Sequence, residues 1–246
     1  MVKGLASLIK FFTILPLKPH KDDLTLAAKN IQLFPLIGFL LGLLSSLFYL
    51  FFSLLLPSLI LGFLTFFFLS ILNGFHHLDG LMDFGDGLMC KGSKEDKLKA
   101  MKDINLGVGG VSLGFFIISL TSLSLSLIPK GYIIQSLVLV EGMAKFAMVI
   151  LALIGNSARE GINRLFIEEA KKRKLRNFFI STILIFIIGI FLVRFLTLIL
   201  LFFFSLLTTF FINLIAKRSF GGLTGDVFGA TNEIVRMVSL LIIIVS

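Results

Sequence analysis

The chain has 246 residues, 57% of them hydrophobic and 15% charged, with 29 phenylalanines and a mean hydropathy of +1.03. A soluble domain is nearer half apolar and a quarter charged, so the composition excludes one and indicates a polytopic membrane protein. The net charge of +9, set beside apolar spans, points to anionic lipid and topology and not to nucleic acid, while the single Cys90 excludes an internal disulfide and a Cys-rich zinc site.

In chain order, MVKGLASLIKFFTILPLKP carries a short apolar run flanked by Lys3, Lys10 and Lys18 without a small-residue cleavage site. It reads as an interfacial segment that is retained, not a signal peptide. Long apolar runs follow at about Ile31 to Leu56, Ser58 to Leu72, Val108 to Ile128, Tyr132 to Ile154, Phe178 to Val193, Phe195 to Ala216 and Ile234 to Val245. They read as seven transmembrane helices, because only helices satisfy every backbone group within the segment and the alternation of barrel strands is missing. The fold class expected is an all-α, multi-pass helical bundle in the cell membrane, one catalytic domain over residues 1–246. With seven alternating spans, 20 of the 23 basic residues, Arg236 among them, fall on one face. The positive-inside rule makes that face cytoplasmic and places the polar loops there.

The chemistry-bearing residues gather in those loops. HHLDGLMDFGDG puts Asp79, Asp83 and Asp86 on one helical stripe. Their mutual repulsion calls for a cation; carboxylate oxygens are the usual ligands of a hard divalent ion, and Mg²⁺, which holds phosphate as well as protein, is the expected one. His77, and less so His76, is placed to act as a base, a phosphate contact or a ligand. Asp103 follows a Lys-rich amphipathic stretch, and Gly107, Gly109 and Gly110 just beyond it can bring backbone amides to a phosphate. A second polar island, Lys217 to Glu233, holds Gly221, Gly222, Thr224, Gly225, Asp226 and Glu233; Arg159 and Glu160 form a third. Within the fourth span, Glu141 and Lys145 stand four apart, the spacing of a buried pair.

In their order along the chain, these motifs resemble the adenosylcobinamide-GDP ribazoletransferases, or cobalamin 5'-phosphate synthases: FFTILPL, LFPLIGFLLG, HLDGLMDFGDG, MKDINLGVGG, AREG and GGLTGDVFGATNE. The resemblance implies that a ribose hydroxyl of α-ribazole, or of its 5'-phosphate, attacks the phosphoryl group next to adenosylcobinamide and releases GMP, with Mg²⁺ as cofactor. It assigns Asp79, Asp83 and Asp86 to the metal, His77, Asp103, Asp226 and Glu233 to catalysis, and Arg159, Lys145, Thr224, Gly107, Gly221, Gly222 and Gly225 to substrate. Two positions depart from the pattern. Ala144 and Lys145 stand where the family commonly has Ser-Arg, so a forked contact to phosphate becomes a point charge, and His76 has no clear counterpart. The rival readings are a CDP-alcohol phosphotransferase, whose own Ala-Arg signature is missing, and a cation-coupled transporter, which would hold its ionisable groups near mid-bilayer.

Overall fold

The computed structural model describes residues 2–246. Among them are twelve α-helices and no strand: α1 Val2–Phe12, α2 Asp23–Lys29, α3 Phe34–Phe52, α4 Ser58–Leu72, α5 His76–Met89, α6 Lys94–Ala100, α7 Val108–Leu127, α8 Ile133–Ile154, α9 Ile162–Lys172, α10 Lys174–Leu192, α11 Phe195–Phe220 and α12 Gly225–Val245. Six spans are long and apolar enough to cross a bilayer, carried by α3, α7, α8, α10, α11 and α12. The seventh expected span is α4, whose 15 residues rise only about 22 Å against a hydrocarbon core roughly 30 Å thick. It reaches span length only together with α5, from which it is bent by 98°.

The sequence Asn73-Gly74-Phe75 makes that bend. The Phe75 N–H donates to the Ser70 carbonyl and the Gly74 N–H to the Ile71 carbonyl, both at 2.8 Å, which is the paired closure of a Schellman motif. Gly74 at φ 61° supplies the left-handed residue, and Phe75 continues it at φ 59°, a conformation that costs a bulky side chain about 1–2 kcal/mol. The chain therefore leaves α4 nearly at right angles, and α5 lies across the end of the bundle instead of continuing through it.

Helix α8 is the centre, with 18 of its 22 residues buried; α3 packs along it at Gly38 and Gly42, close to the Glu141 and Leu137 carbonyls. The peripheral helices α10 and α11 turn side chains such as Phe191, Phe203 and Phe210 outward. Helix α1 covers part of the segment expected at the membrane interface, and its Leu8 and Phe12 are buried in the core. Ser7 and Lys10 fasten it to α2 by bonds to Asp23 of 2.7 and 2.9 Å. With His20 N–H also donating, these contacts lower the Asp23 carboxyl to about 2, the Ser7 hydroxyl contributing most.

Two sequence expectations change here. Helix α12 starts at Gly225, nine residues before the run expected from Ile234. Arg236, assigned from the sequence to the cytoplasmic charge, is consequently inside the bundle and 1% exposed. It bonds Glu141 of α8 through Nε and through Nη2 at 2.9 Å, and Glu233 through Nη1. The Glu141–Lys145 pair expected from spacing is thus replaced: Glu141 takes Arg236, and Lys145 donates to Asn232 Oδ1 at 2.7 Å while its Nζ sits 4.9 Å from the centre of the Phe12 ring.

Candidate active site

Three segments that are distant in sequence meet at one end of the bundle. The loop after α8 and the loop before α12 zip together over two residues: Leu223 N–H donates to the Asn156 carbonyl at 2.7 Å and Ala158 N–H to the Leu223 carbonyl at 2.9 Å, a single parallel bridge between Ser157 and Leu223. This brings the Arg159 guanidinium to within 3.7 Å of the Asp226 carboxylate. Thr224 caps α12 by accepting from Val227 N–H at 3.3 Å, and its hydroxyl donates to Asp226 Oδ2 at 3.0 Å. Asp226 is therefore held from both sides.

Helix α5 crosses the first turns of α12 at two glycines. A methyl group on Gly80 would stand 2.9 Å from Asp226 Cα, and one on Gly229 would stand 3.0 Å from the His77 carbonyl. No side chain larger than hydrogen fits the crossing, which explains these glycines in helices they would otherwise weaken. The crossing lays Asp79 and Asp83 against Asp226. Burial, and then the charges of Asp79, Asp226 and Asp86 in that order, push Asp83 up to about 7, with Arg159 pulling the other way.

Asp86 does something different. Its two oxygens accept from Gly107 N–H at 2.8 Å and Gly110 N–H at 2.7 Å, so it caps α7, where the helix has free amides and the positive end of its dipole. The Gly107 amide, expected to face a phosphate, is directed to this carboxylate instead. The charges that act on Asp83 thus come from Asp226 of α12 as well as from Asp79 and Asp86 of its own helix. Among the described residues, no three His, Cys, Asp or Glu side chains are grouped so that they could hold a metal ion by themselves.

The remaining expected site residues divide. Gly225 and Asp226 line a cleft of about 580 Å³ together with Asp79, His76 and His77. His77 is buried, its Nδ1 enclosed without a hydrogen-bond partner; burial first, then the charges of Lys145, Arg236 and His76, hold its imidazole well below its usual value. Gly221, at φ 80°, closes α11, and Gly222 packs on the Asn156 carbonyl; both shape the loop that carries Arg159 and Asp226. Lys145 and Glu233 sit behind the cleft in the buried ionic network. Asp103 is not brought to the cluster. It is exposed in the loop before α7, where Asn105 donates to it through its backbone at 2.9 Å and its side chain at 3.1 Å, and these bonds lower its carboxyl below the usual range. The sequence reading missed the wall supplied by α1 and α9, whose Phe11 and Phe166 look like any other apolar residues in a chain so rich in phenylalanine.

Fold and cluster define a multi-pass, all-helical membrane protein whose acidic cleft lies at the end of the bundle where the Lys- and Arg-bearing loops gather. The sequence profile of the cobalamin-5-phosphate synthase family matches residues 4–244, and the chain belongs to that enzyme family. It is 33% identical to the adenosylcobinamide-GDP ribazoletransferase of Methanocella arvoryzae, covering 98% of this chain and 94% of that protein. It is 30% identical to the protein of the same name from Thermococcus kodakarensis, covering 96% of each. No solved structure matches the chain.

Proposed function

We propose that this protein transfers adenosylcobinamide phosphate from adenosylcobinamide-GDP to α-ribazole or its 5'-phosphate, at the cytoplasmic face of the membrane, with release of GMP. The observation that carries the proposal is the approach of Asp79 and Asp83 of α5 to Asp226 and Arg159, since burial and the neighbouring carboxylates push Asp83 up to about 7 and leave the site short of a cation. Mg²⁺ fits this donor set. It accepts one or two carboxylates and completes its shell with water and substrate phosphate, so no closed protein cage is needed. When bound, the ion offsets the charge on the phosphate oxygens.

The chain's own residues do the rest. Arg159 stands where a guanidinium can pair with a phosphate, and the Thr224 cap fixes Asp226 for its share of the ion. The ribose oxygen forms the new P–O bond as the P–O bond to GMP breaks, and the hydroxyl proton passes to water during the attack; in a loose phosphoryl transfer, positioning and charge outweigh nucleophilic push. With the bent α4–α5 pair counted as the seventh crossing, 19 of the 23 basic residues lie on one face, Arg236 being enclosed by the bundle, and this supports the cytoplasmic orientation.

The test is incubation of the purified protein in liposomes with adenosylcobinamide-GDP, α-ribazole and Mg²⁺. GMP and cobalamin should form one for one, with neither appearing in a chelator or without α-ribazole. Absence of GMP under all conditions, or release of CMP from a CDP-alcohol instead, overturns the reading. Gly80→Ala should reduce this turnover by roughly 10²-fold, because the added methyl displaces Asp226 by a fraction of the distance to which phosphoryl transfer is sensitive. A variant that assembles normally and turns over at the wild-type rate would show that the α5–α12 crossing does not set the site.

A further inference from the structure

One wall of the acidic cleft takes no part in holding phosphate or cation. Helix α1 lays Phe11 and Phe12 along it. Phe11 meets Phe166 of α9 with ring centroids 4.7 Å apart and planes inclined by 34°, and Phe12 lies 5.9 Å from the His77 ring. In the same cleft, at the elbow between α4 and α5, two polar atoms are enclosed without a partner: Asn73 Oδ1 and His77 Nδ1, on side chains only 3% and 8% exposed. Buried polar atoms left unpaired carry a penalty that a bound polar group can relieve. Phe11, Phe166, Asn73, His77, Asp79 and Asp226 thus line one cleft.

We propose that this wall is the seat of the acceptor nucleoside, with its flat heteroaromatic base against Phe11, Phe12 and Phe166 and its polar edge at Asn73 and His77. The inference rests on the transferase reading above. The ribose hydroxyl then extends toward Asp79 and Asp226, where the phosphoryl group is attacked. The volume of about 580 Å³ lies within the roughly 300–1,000 Å³ of sites that enclose one small molecule. A nucleoside fits there. A corrin with its ring of amide side chains does not, and belongs on the open surface outside. Helix α1, which the sequence shows only as a membrane-surface segment, becomes part of the acceptor site, clasped to α2 through Asp23.

The test is direct titration of the purified protein with α-ribazole alone. The chain has no tryptophan, so fluorescence of the benzimidazole base is read without an indole background. Wild type should bind saturably in the absence of the corrin substrate. Phe166→Ala and Phe11→Ala should bind roughly tenfold more weakly, with Phe166→Leu between them and wild type, while binding of adenosylcobinamide-GDP, followed by its visible absorption, stays unchanged. In turnover, KM for α-ribazole should rise with kcat retained. The lipid-facing Phe203→Ala should match wild type in every measurement. If the alanine variants fail to fold, the leucine variant decides by the same criterion.

The seat is overturned if wild type does not bind α-ribazole alone, if the phenylalanine variants bind it as wild type does, or if they lose both ligands equally. Its failure is distinct from failure of the transferase reading. Phe-dependent binding without GMP release would leave the nucleoside seat and remove the reaction, whereas GMP release with affinity indifferent to these phenylalanines would do the reverse.

Discussion

Asp83→Asn is expected to abolish turnover and, in the same protein, to raise the melting temperature measured in chelator at pH 8. The two effects have one cause. Asp83 is raised from 3.8 to about 7 by burial and by Asp79, Asp226 and Asp86, so its ionised form is opposed in the folded protein until a cation arrives. The sign follows from proton binding. A carboxyl whose folded value lies above its unfolded value binds more protons when folded, so stability is lost as pH rises from about 3.8 to about 7, and the loss is complete above that. The neutral amide escapes this loss. Its advantage should be full at pH 8 and shrink as pH falls toward 4. A merely structural aspartate would behave the other way, its removal lowering the melting temperature. Turnover near the wild-type level, or a variant no more stable than wild type at pH 8, would remove Asp83 from the cation site.

Much of this arrangement is legible in the sequence, because hydrophobic runs and charge clusters are local properties. The spans can be counted to within one, and the acidic motif stands out against apolar flanks. What is hidden depends on partners far along the chain. Asp86 looks like the third member of a stripe, and only the fold brings α7, with amides 21 and 24 residues further on, to its oxygens. Asp226 is the acid that joins the cluster in space, through a glycine crossing between helices some 150 residues apart in sequence. Asp103 lies beside a glycine-rich stretch like that of a phosphate loop, yet Asn105, two residues away, takes its carboxylate first. Arg236 is the clearest case. A lone charge at the edge of an apolar run resembles a loop residue until its partner, Glu141, 95 positions earlier, is seen beside it.

That pairing gives the other large expected effect. Arg236→Met should destabilise the protein by about 3–5 kcal/mol, the cost of leaving buried charge without its partner, because Glu141 and Glu233 would both remain enclosed. Arg236 joins α12 to α8 about three turns along from Asp226, so the loss falls on the helix that carries an acid of the site. Replacing all four ionic groups of the network at once, with Arg236→Met, Lys145→Met, Glu141→Gln and Glu233→Gln, leaves no unpaired buried charge and should recover most of the stability, as neutral replacements of buried ion groups often do. The measurement is thermal unfolding in detergent, paired with turnover at a temperature where every variant is folded. There the role of Glu233 is decided. If it acts by orienting Arg236 toward Glu141 of α8, Glu233→Gln keeps turnover within about tenfold of wild type; if it acts on the reacting groups as a general base, the rate falls by roughly 10²–10⁴ although the helices stay in place. An Arg236→Met protein as stable as wild type would mean that water or lipid headgroups already reach the two glutamates, and the network would then not be the clamp between α8 and α12.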